Sequence, residues 1–262
     1  MAYGKILLAR DNGLATLTFN APDRLNAVSR KMIAEIKDCW EELAADSSIR
    51  AVLITGAGRG FCAGADLADP DREASATADS GAALDKYFNP VIRLMRTIPK
   101  PIVAAVNGVA AGVGMSFALA SDIAIAAKSA SFLQAFARIG LLPDGGSTWF
   151  LPRLAGDQRA RALAMLAPQI PADKAKEWGL IWDVVDDAAL MATATEIARK
   201  LADGPTLALA RIKGALDQAG GNDLSAQLDV ERDFQRELGR SDDFREGVTA
   251  FLAKRKPEFK GK

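Results

Sequence analysis

Three short runs of consecutive apolar residues constrain the fold of this chain most. They span residues 51–54, 102–106 and 123–126, and such short continuous runs are typical of strands buried on both faces. Segments with apolar residues at helical spacing lie between them, and Ser29 can cap the first of these helices. Helical patterns dominate from residue 157 onward. Strands that alternate with helices predict an α/β core, followed by a helical C-terminal part.

The chain before these runs predicts a β-hairpin. Two apolar runs, 5–9 and 14–19, flank Asp11-Asn12-Gly13, and an Asn-Gly pair suits the tight turn that joins two antiparallel strands. We expect a glycine-containing turn at 107–114 and a mobile segment in the alanine-rich stretch 68–82.

The composition excludes several classes of function. Thirty-three basic residues balance thirty-three acidic ones, so no global field attracts nucleic acid or an anionic membrane. The chain has no histidine, which removes histidine-dependent triads and disfavours a catalytic metal site. Two cysteines are too few for a disulfide framework, and together with the lack of a signal peptide they predict a reducing, cytoplasmic setting.

One segment is long and apolar enough to be considered as a membrane span. It covers residues 101–127, where Asp122 is the only charged residue. Several glycines interrupt it, and the lysines that flank it stand at opposite ends and give no orientation bias. We therefore expect no membrane span here.

Asp144 is the lead candidate for a general base. Between Ala130 and Leu151 the only charged side chains are Arg138 and Asp144. A carboxylate deprived of water has a raised pKa, which allows it to exchange protons near neutral pH. The alternative is that Pro143-Asp144-Gly145-Gly146 is simply a turn, since aspartate and glycine both favour turns.

Two glycine-containing loops can expose backbone amides to a ligand. The run from Gly56 to Gly64 lacks the spacing and the Gly-Lys-Ser/Thr ending of nucleotide-binding loops. The amides of 63–66 and 112–114 can instead converge on one oxygen atom and form an oxyanion hole. The alternative to an oxyanion hole is that the glycines only allow the backbone to pack tightly. Either loop taken alone is consistent with that interpretation.

A series of short motifs is spread over essentially the whole chain. They are Arg24-Leu25-Asn26-Ala27, Gly56-x-Gly58-x-x-Phe61-Cys62-Ala63-Gly64-Ala65-Asp66-Leu67, Pro99-Lys100-Pro101, Asn107-Gly108-x-Ala110-x-Gly112, Ser121-Asp122-Ile123, Gly140-Leu141-x-Pro143-Asp144-Gly145-Gly146 and Ala250-Phe251-Leu252-Ala253-Lys254-Arg255. In these motifs the sequence resembles the crotonase superfamily, the enoyl-CoA hydratase/isomerase family, and their number and order make the resemblance specific.

The resemblance implies a core of stacked ββα units with C-terminal helices that mediate trimer formation. We expect an acyl-CoA-binding core in residues 1–200 and a helical region in 201–262 that serves oligomerisation and covers the active site. It also implies a homotrimer, commonly assembled into a hexamer as a dimer of trimers. Coenzyme A would be part of the substrate, and no separate cofactor or metal is expected.

The resemblance assigns roles to individual residues. The amides of Ala65 and Val113 would form the oxyanion hole for the thioester carbonyl, with Asp144 as the acid/base. The expected contacts to coenzyme A are Arg24, Ala63, Ala65, Asp66, Leu67 and Phe259, the last from a neighbouring subunit. For Arg24 and Phe259, a solvated charge and a packing aromatic are equally good interpretations. Phe88, Phe136 and Trp149 would line the acyl pocket, although such aromatics are as often core residues.

Departures from the family pattern favour an isomerase. Hydratases of the family carry two glutamates that handle a water molecule, and Ser116 and Phe136 stand at these positions. A single carboxylate can still remove the α-proton of a polarised thioester and return it to another carbon. The stretches 87–90, 177–182 and 228–236 resemble a subgroup of the family that acts in phenylacetate degradation. Enzymes of this subgroup convert 2-(1,2-epoxy-1,2-dihydrophenyl)acetyl-CoA to oxepin-CoA, and they also shift Δ3 double bonds to Δ2. A plain enoyl-CoA hydratase and a non-catalytic acyl-CoA-binding scaffold are the alternatives.

Overall fold

Two β-sheets form the frame of the protein, whose computed structural model describes residues 3–71 and 79–262. The strands in these ranges are β1 (Ile6–Asp11), β2 (Leu14–Phe19), β3 (Ala51–Gly56), β4 (Gly60–Cys62), β5 (Ile102–Val106), β6 (Val109–Ala111), β7 (Ile123–Ala127), β8 (Ser131–Leu133), β9 (Gln169–Pro171) and β10 (Asp183–Val185). The first sheet has the order β1-β2-β3-β5-β7-β10, and the second has the order β4-β6-β8-β9.

The first sheet follows from the apolar runs of the sequence. β1 and β2 form the predicted antiparallel hairpin, in which Asn12 and Gly13 adopt the positive φ angles that the turn requires. β2, β3, β5, β7 and β10 then pair in parallel. Every residue of β3 and of β5 is buried, as expected for strands covered on both faces.

The second sheet is built from strands of three residues each. β4, β6 and β8 pair in parallel, and β9 closes the sheet in the antiparallel direction. The prediction of a plain turn over 107–114 is therefore wrong, because β6 forms within it and α4 begins at Val113. Three residues are too few to produce a detectable period in the sequence.

Helices pack around both sheets. Those in the described part of the chain are α1 (Arg30–Ala45), α2 (Ser80–Ala83), α3 (Asn89–Thr97), α4 (Val113–Ala120), α5 (Ser147–Ala155), α6 (Asp157–Leu166), α7 (Ala172–Glu177), α8 (Leu190–Ala202), α9 (Thr206–Ala219), α10 (Leu224–Leu238) and α11 (Asp242–Leu252). The Ser29 hydroxyl accepts a hydrogen bond from the Met32 amide, which confirms the predicted cap of α1. A π-helical segment, Leu84–Phe88, joins α2 to α3. The α/β core with a helical C-terminal part is thus confirmed.

Buried lysines fix helices to this core. Lys213 of α9 donates to the Met95 carbonyl at 2.8 Å and forms an ion pair of 3.0 Å with Asp122. Lys100 donates to the carbonyls of Leu43 and Asp46 at the C-terminal end of α1, which satisfies acceptors that the helix itself leaves open.

The segment 101–127 does not form a single helix. It contains β5, β6, α4 and β7. Within 3–71 and 79–262, no helix has both the length and the apolar character needed to cross a membrane. The expectation of mobility for 68–82 concerns in part residues 72–78, which lie outside the described residues.

Candidate active site

The two glycine-containing loops meet, as the sequence suggested. Gly64 has φ of 100°, and a Cβ atom placed on it would lie 3.0 Å from the Ala111 carbonyl oxygen. A Cβ on Gly112 would lie 3.7 Å from the Gly64 Cα. The loop after β4 and the start of α4 therefore approach so closely that their backbones are in contact, and glycine permits this approach on both sides.

Each loop presents one free amide near this contact. The Val28 amide donates to the Gly64 carbonyl at 2.7 Å and the Asp66 amide donates to the Val28 carbonyl at 2.9 Å, so the intervening Ala65 amide is left over. Val113 is the first residue of α4, where an amide has no acceptor within the helix. None of the hydrogen bonds among the described residues uses either amide. Both donors are thus available to a ligand.

Asp144 lies beside the helix that carries the Val113 amide. A Cβ on Gly145 would lie 2.7 Å from the Ser116 Cβ and 3.5 Å from a methyl group of Val113, so the Asp144 turn packs directly on α4. The Ser116 hydroxyl donates to the Asp144 carbonyl at 3.0 Å. The carboxylate and the proposed oxyanion donor are therefore held on neighbouring backbone segments.

The Asp144 carboxyl group is partly shielded from water. Its Oδ1 atom is buried and has no hydrogen-bond partner among the described residues. Burial raises the pKa of Asp144 from 3.8 to about 6, and no charged side chain contributes to the shift. Such a carboxyl group can both accept and return a proton near neutral pH. The turn interpretation is also correct, since Gly145 and Gly146 have positive φ angles; Asp144 lies in a turn and is desolvated.

A cavity of about 420 Å³ lies beside the Ala65 loop. It is lined by Asp23, Arg24, Leu25, Ala27, Arg59, Ala65, Asp66, Leu67 and Ala68. The Arg24 guanidinium pairs with Asp66 at 2.9 Å and stays half exposed. Four of the residues expected to contact coenzyme A thus share one cavity, whereas Ala63 is not part of its lining.

Phe259 lies elsewhere in the same chain. Its ring is 3.5 Å from the position of a Cβ on Gly247, and its carbonyl accepts a hydrogen bond of 2.9 Å from Arg50. It lines a second cavity of about 270 Å³ together with Arg50 and Asp203. A role for Phe259 in coenzyme A binding thus requires a neighbouring copy of the chain.

The three aromatic candidates for the acyl pocket have different surroundings. The Phe136 ring lies 3.5 Å from the position of a Cβ on Gly112, directly at the contact between the two loops. Phe88 belongs to the main hydrophobic core. Trp149 is 41% exposed and stacks under the Arg153 guanidinium at 4.0 Å. Of the three, Phe136 is the one in contact with the site.

Sequence reasoning missed three residues of this region. Gln134 and Ser147 are fully buried behind the Asp144 turn, and Arg59 lines the larger cavity. Gln134 and Ser147 lie within the same apolar stretch as Asp144, so their polarity was a signal that could have been used. Arg59 had no comparable signal, because exposed arginines are common.

The fold and the site together define an α/β protein with the crotonase architecture, in which two free amides lie near one desolvated carboxylate. The enoyl-CoA hydratase from Bacillus anthracis has the same fold: its crystal structure covers 99% of this chain and 100% of its own, with a TM-score of 0.92 and 31% identity. The chain belongs to the enoyl-CoA hydratase/isomerase family, whose model matches residues 9–262. The family and the fold expected from the motifs are confirmed.

Curated relatives of both reaction types are similar over the whole length. The chain is 51% identical to the 1,2-epoxyphenylacetyl-CoA isomerase of Escherichia coli, over 98% of each chain. It is 35% identical to the crotonyl-CoA hydratase of Syntrophomonas wolfei, over 99% of each chain. The protein is therefore an enzyme of this family, with an isomerase among its most similar relatives.

Proposed function

We propose that this protein is an acyl-CoA isomerase that converts 2-(1,2-epoxy-1,2-dihydrophenyl)acetyl-CoA to oxepin-CoA and shifts Δ3-enoyl-CoA to Δ2-enoyl-CoA. The observation that carries the proposal is the single desolvated carboxyl group of Asp144, with a pKa of about 6 and an unpaired Oδ1. The positions where hydratases of the family carry glutamates hold Ser116 and Phe136. The similarity to the isomerase from Escherichia coli supports the choice of substrate.

The proposed double-bond shift uses one base and two amides. The thioester oxygen accepts hydrogen bonds from Ala65 and Val113, which makes the proton on C2 acidic. The Asp144 carboxylate takes that proton, and the electron pair moves into an enolate on the thioester oxygen. The same carboxyl group returns the proton to C4, and the double bond ends between C2 and C3. Atoms are conserved, so neither water nor a cofactor is consumed.

The proposed binding mode places the nucleotide of coenzyme A in the 420 Å³ cavity. Arg24 is half exposed there and can meet a phosphate, while Ala63, Ala65, Asp66 and Leu67 would contact the adenine and the pantetheine. Phe136 would bound the acyl group at the Gly112 loop, and a part for Phe88 and Trp149 in the acyl pocket stays a prediction. Phe259 of a neighbouring copy would complete the nucleotide site.

We also propose a homotrimer, assembled into a hexamer as a dimer of trimers. Residues 201–262 would form the oligomerisation region and 1–200 the acyl-CoA-binding core. In support, α9 to α11 leave large apolar side chains exposed, which marks an interaction surface. They are Ile212, Leu216, Leu224, Leu228, Phe244, Val248, Phe251 and Leu252. Both cysteines are free and buried, which suits the cytoplasm proposed as the setting. Sedimentation equilibrium would measure the assembly, and a monomer would contradict this part of the proposal.

The test of the function is conversion of a 3-enoyl-CoA in deuterated water, followed by mass spectrometry and ultraviolet absorbance. We expect the 2-enoyl ester without addition of water, and loss of at least about 10²-fold in kcat for Asp144→Asn with binding of the ester retained. The epoxide substrate is then the next assay.

A hydratase is the second candidate, because the similarity to the crotonyl-CoA hydratase also spans the whole chain. Water addition to a 2-enoyl-CoA without double-bond migration would favour it. Binding of acyl-CoA without any turnover would instead favour a scaffold. Full turnover by Asp144→Asn would remove Asp144 from the chemistry in every case.

A further inference from the structure

A chain of buried polar side chains lies directly behind the Asp144 turn. Gln134, Ser147 and Ser116 have no exposed surface. The Gln134 Nε2 atom donates to the Ser147 Oγ at 2.9 Å, and the Ser147 Oγ lies 2.8 Å from the Ser116 Oγ. The Ser116 hydroxyl donates to the Asp144 carbonyl oxygen at 3.0 Å.

One direction of proton donation satisfies all three hydrogen bonds of this chain at once. Gln134 donates to Ser147, so the single hydroxyl proton of Ser147 is free for Ser116. The proton of Ser116 then goes to the Asp144 carbonyl, which is nearer than its other acceptor, the Gly112 carbonyl at 3.3 Å. All three donors thus point toward the Asp144 backbone.

This chain adds a side-chain hydrogen bond from α4 to a glycine-containing segment. Gly145 and Gly146 follow Asp144, both with positive φ, and glycine has the widest conformational freedom of any residue. The Ser147 amide also donates to the Asp144 carbonyl at 3.0 Å. That carbonyl therefore receives one bond from within the turn and one from helix α4.

The bond from Ser116 connects the turn to the oxyanion donor. Ser116 lies three residues after Val113, in the first turn of α4, and is rigidly related to the Val113 amide. The hydroxyl acts on the carbonyl of Asp144 and leaves the carboxyl Oδ1 without a donor, so it does not weaken the base.

We propose that Ser116 is a positioning residue for Asp144, which fixes the carboxylate relative to the Val113 amide, with Ser147 and Gln134 as its supports. The inference rests on the proposed function, since it requires Asp144 to be the base. A glutamate at position 116 would not serve this role, because the turn passes so close that a Cβ placed on Gly145 would lie 2.7 Å from the Ser116 Cβ and 2.8 Å from its Oγ.

The test compares Ser116→Ala with a matched control at the opposite end of the same helix, Ser121→Ala. Ser121 is also buried, and its hydroxyl donates to the Phe117 carbonyl at 3.0 Å without touching the Asp144 turn. Misplacement of a reacting group by about 1 Å costs up to about 10²-fold in rate, so we expect kcat to fall about 10-fold to 100-fold in Ser116→Ala. KM should change by less than about threefold, since the acyl-CoA contacts remain.

The pH profile separates positioning from a merely structural role. A loosened turn admits water to the carboxyl group, so the acidic limb of kcat should move to lower pH in Ser116→Ala and stay in place in Ser121→Ala. The charged side chain that precedes the turn, Arg138, donates to the Ala167 carbonyl at 2.6 Å and does not contribute to the pKa of Asp144. Ser147→Ala removes the second bond of the chain and should reproduce the shift more weakly.

Asp144→Asn, assayed in parallel, distinguishes the two possible failures. If Asp144→Asn is inactive while Ser116→Ala and Ser147→Ala keep the wild-type kcat and acidic limb, the positioning role is wrong and the proposed function stands. If Asp144→Asn turns over normally, the proposed function itself fails. Should Ser116→Ala not fold, Ser147→Ala decides by the same criteria.

Discussion

Replacing Asp144 by asparagine should make the protein more stable at neutral pH while it abolishes turnover. The reason is the desolvated carboxylate: the folded protein must hold a charge in a place where burial disfavours it. Asparagine has nearly the same shape and carries no charge. A side chain that lowers the stability of the folded protein is expected at a position where it takes part in catalysis.

The magnitude follows from the pKa of Asp144, which rises from 3.8 to about 6 on folding. One unit of pKa shift is equivalent to about 1.4 kcal/mol, so the charged carboxylate lowers the free energy of unfolding by about 3 kcal/mol at most, and by less where water reaches the group. Below pH 3.8 both states are protonated and the carboxyl group costs nothing. Between 3.8 and about 6 the folded protein binds more protons than the unfolded chain, so stability falls as pH rises; above about 6 the full cost is present.

The assay is urea unfolding of both proteins, followed by tryptophan fluorescence at one protein concentration and at several pH values between about 4.5 and 7.5. The stability gained by Asp144→Asn should grow from about 1 kcal/mol at the acidic end to about 2–3 kcal/mol at the neutral end. A constant difference in stability between the two proteins, equal at every pH, would reflect only how well the asparagine amide packs in place of the carboxyl group. Asp173→Asn, at an exposed aspartate, is the control.

A stability difference that stays constant over this pH range would refute the reasoning. It would mean that the Asp144 carboxyl group titrates alike in the folded and unfolded states and is not desolvated. Activity should show the opposite pH dependence, with kcat rising as the pH passes through about 6.

Three further predictions concern single substitutions. Val113→Pro should lower kcat by about 10²-fold to 10³-fold with the fold retained, because proline deletes the amide at the first helical position, where it fits. Lys213→Met should lower the free energy of unfolding by about 1.5–3 kcal/mol, measured by urea unfolding, because Asp122 loses its nearest cation and keeps only Arg96 at 3.7 Å. Arg24→Ala should weaken coenzyme A binding about 5-fold to 10-fold and make it less sensitive to salt in calorimetry, since a half-exposed cation is lost.

Each of these has a matched control. Val113→Ala keeps the amide and should retain most of the activity; equal losses in both variants would contradict the oxyanion role. Lys200→Met, at an exposed lysine, should leave stability unchanged, and a cost as large as that of Lys213→Met would rule out the buried ion pair as the cause. Arg93→Ala, at an exposed arginine on α3, should not alter binding, and an unchanged affinity in Arg24→Ala would place the phosphate elsewhere.

The sequence by itself determined the central strands of the first sheet and singled out the candidate for the base. The apolar runs at 51–54, 102–106 and 123–126 became β3, β5 and β7, because burial on both faces leaves a signal within a few consecutive residues. Asn12 and Gly13 determined the hairpin turn. Asp144 could be singled out because the chain has no histidine and few charges near it.

Only the tertiary structure decided how these parts combine into a site. The strands of the second sheet have three residues each, which is too short to show an alternating pattern of apolar and polar residues in the sequence. This sheet brings Gly64 and Gly112 into contact. The same folding buries the Asp144 carboxyl group and supplies the Ser116 hydroxyl from 28 residues away in the sequence. Desolvation and hydrogen bonding depend on the atoms that surround a group in space. Residues that are distant along the chain cannot be recognised as its neighbours from a local sequence pattern.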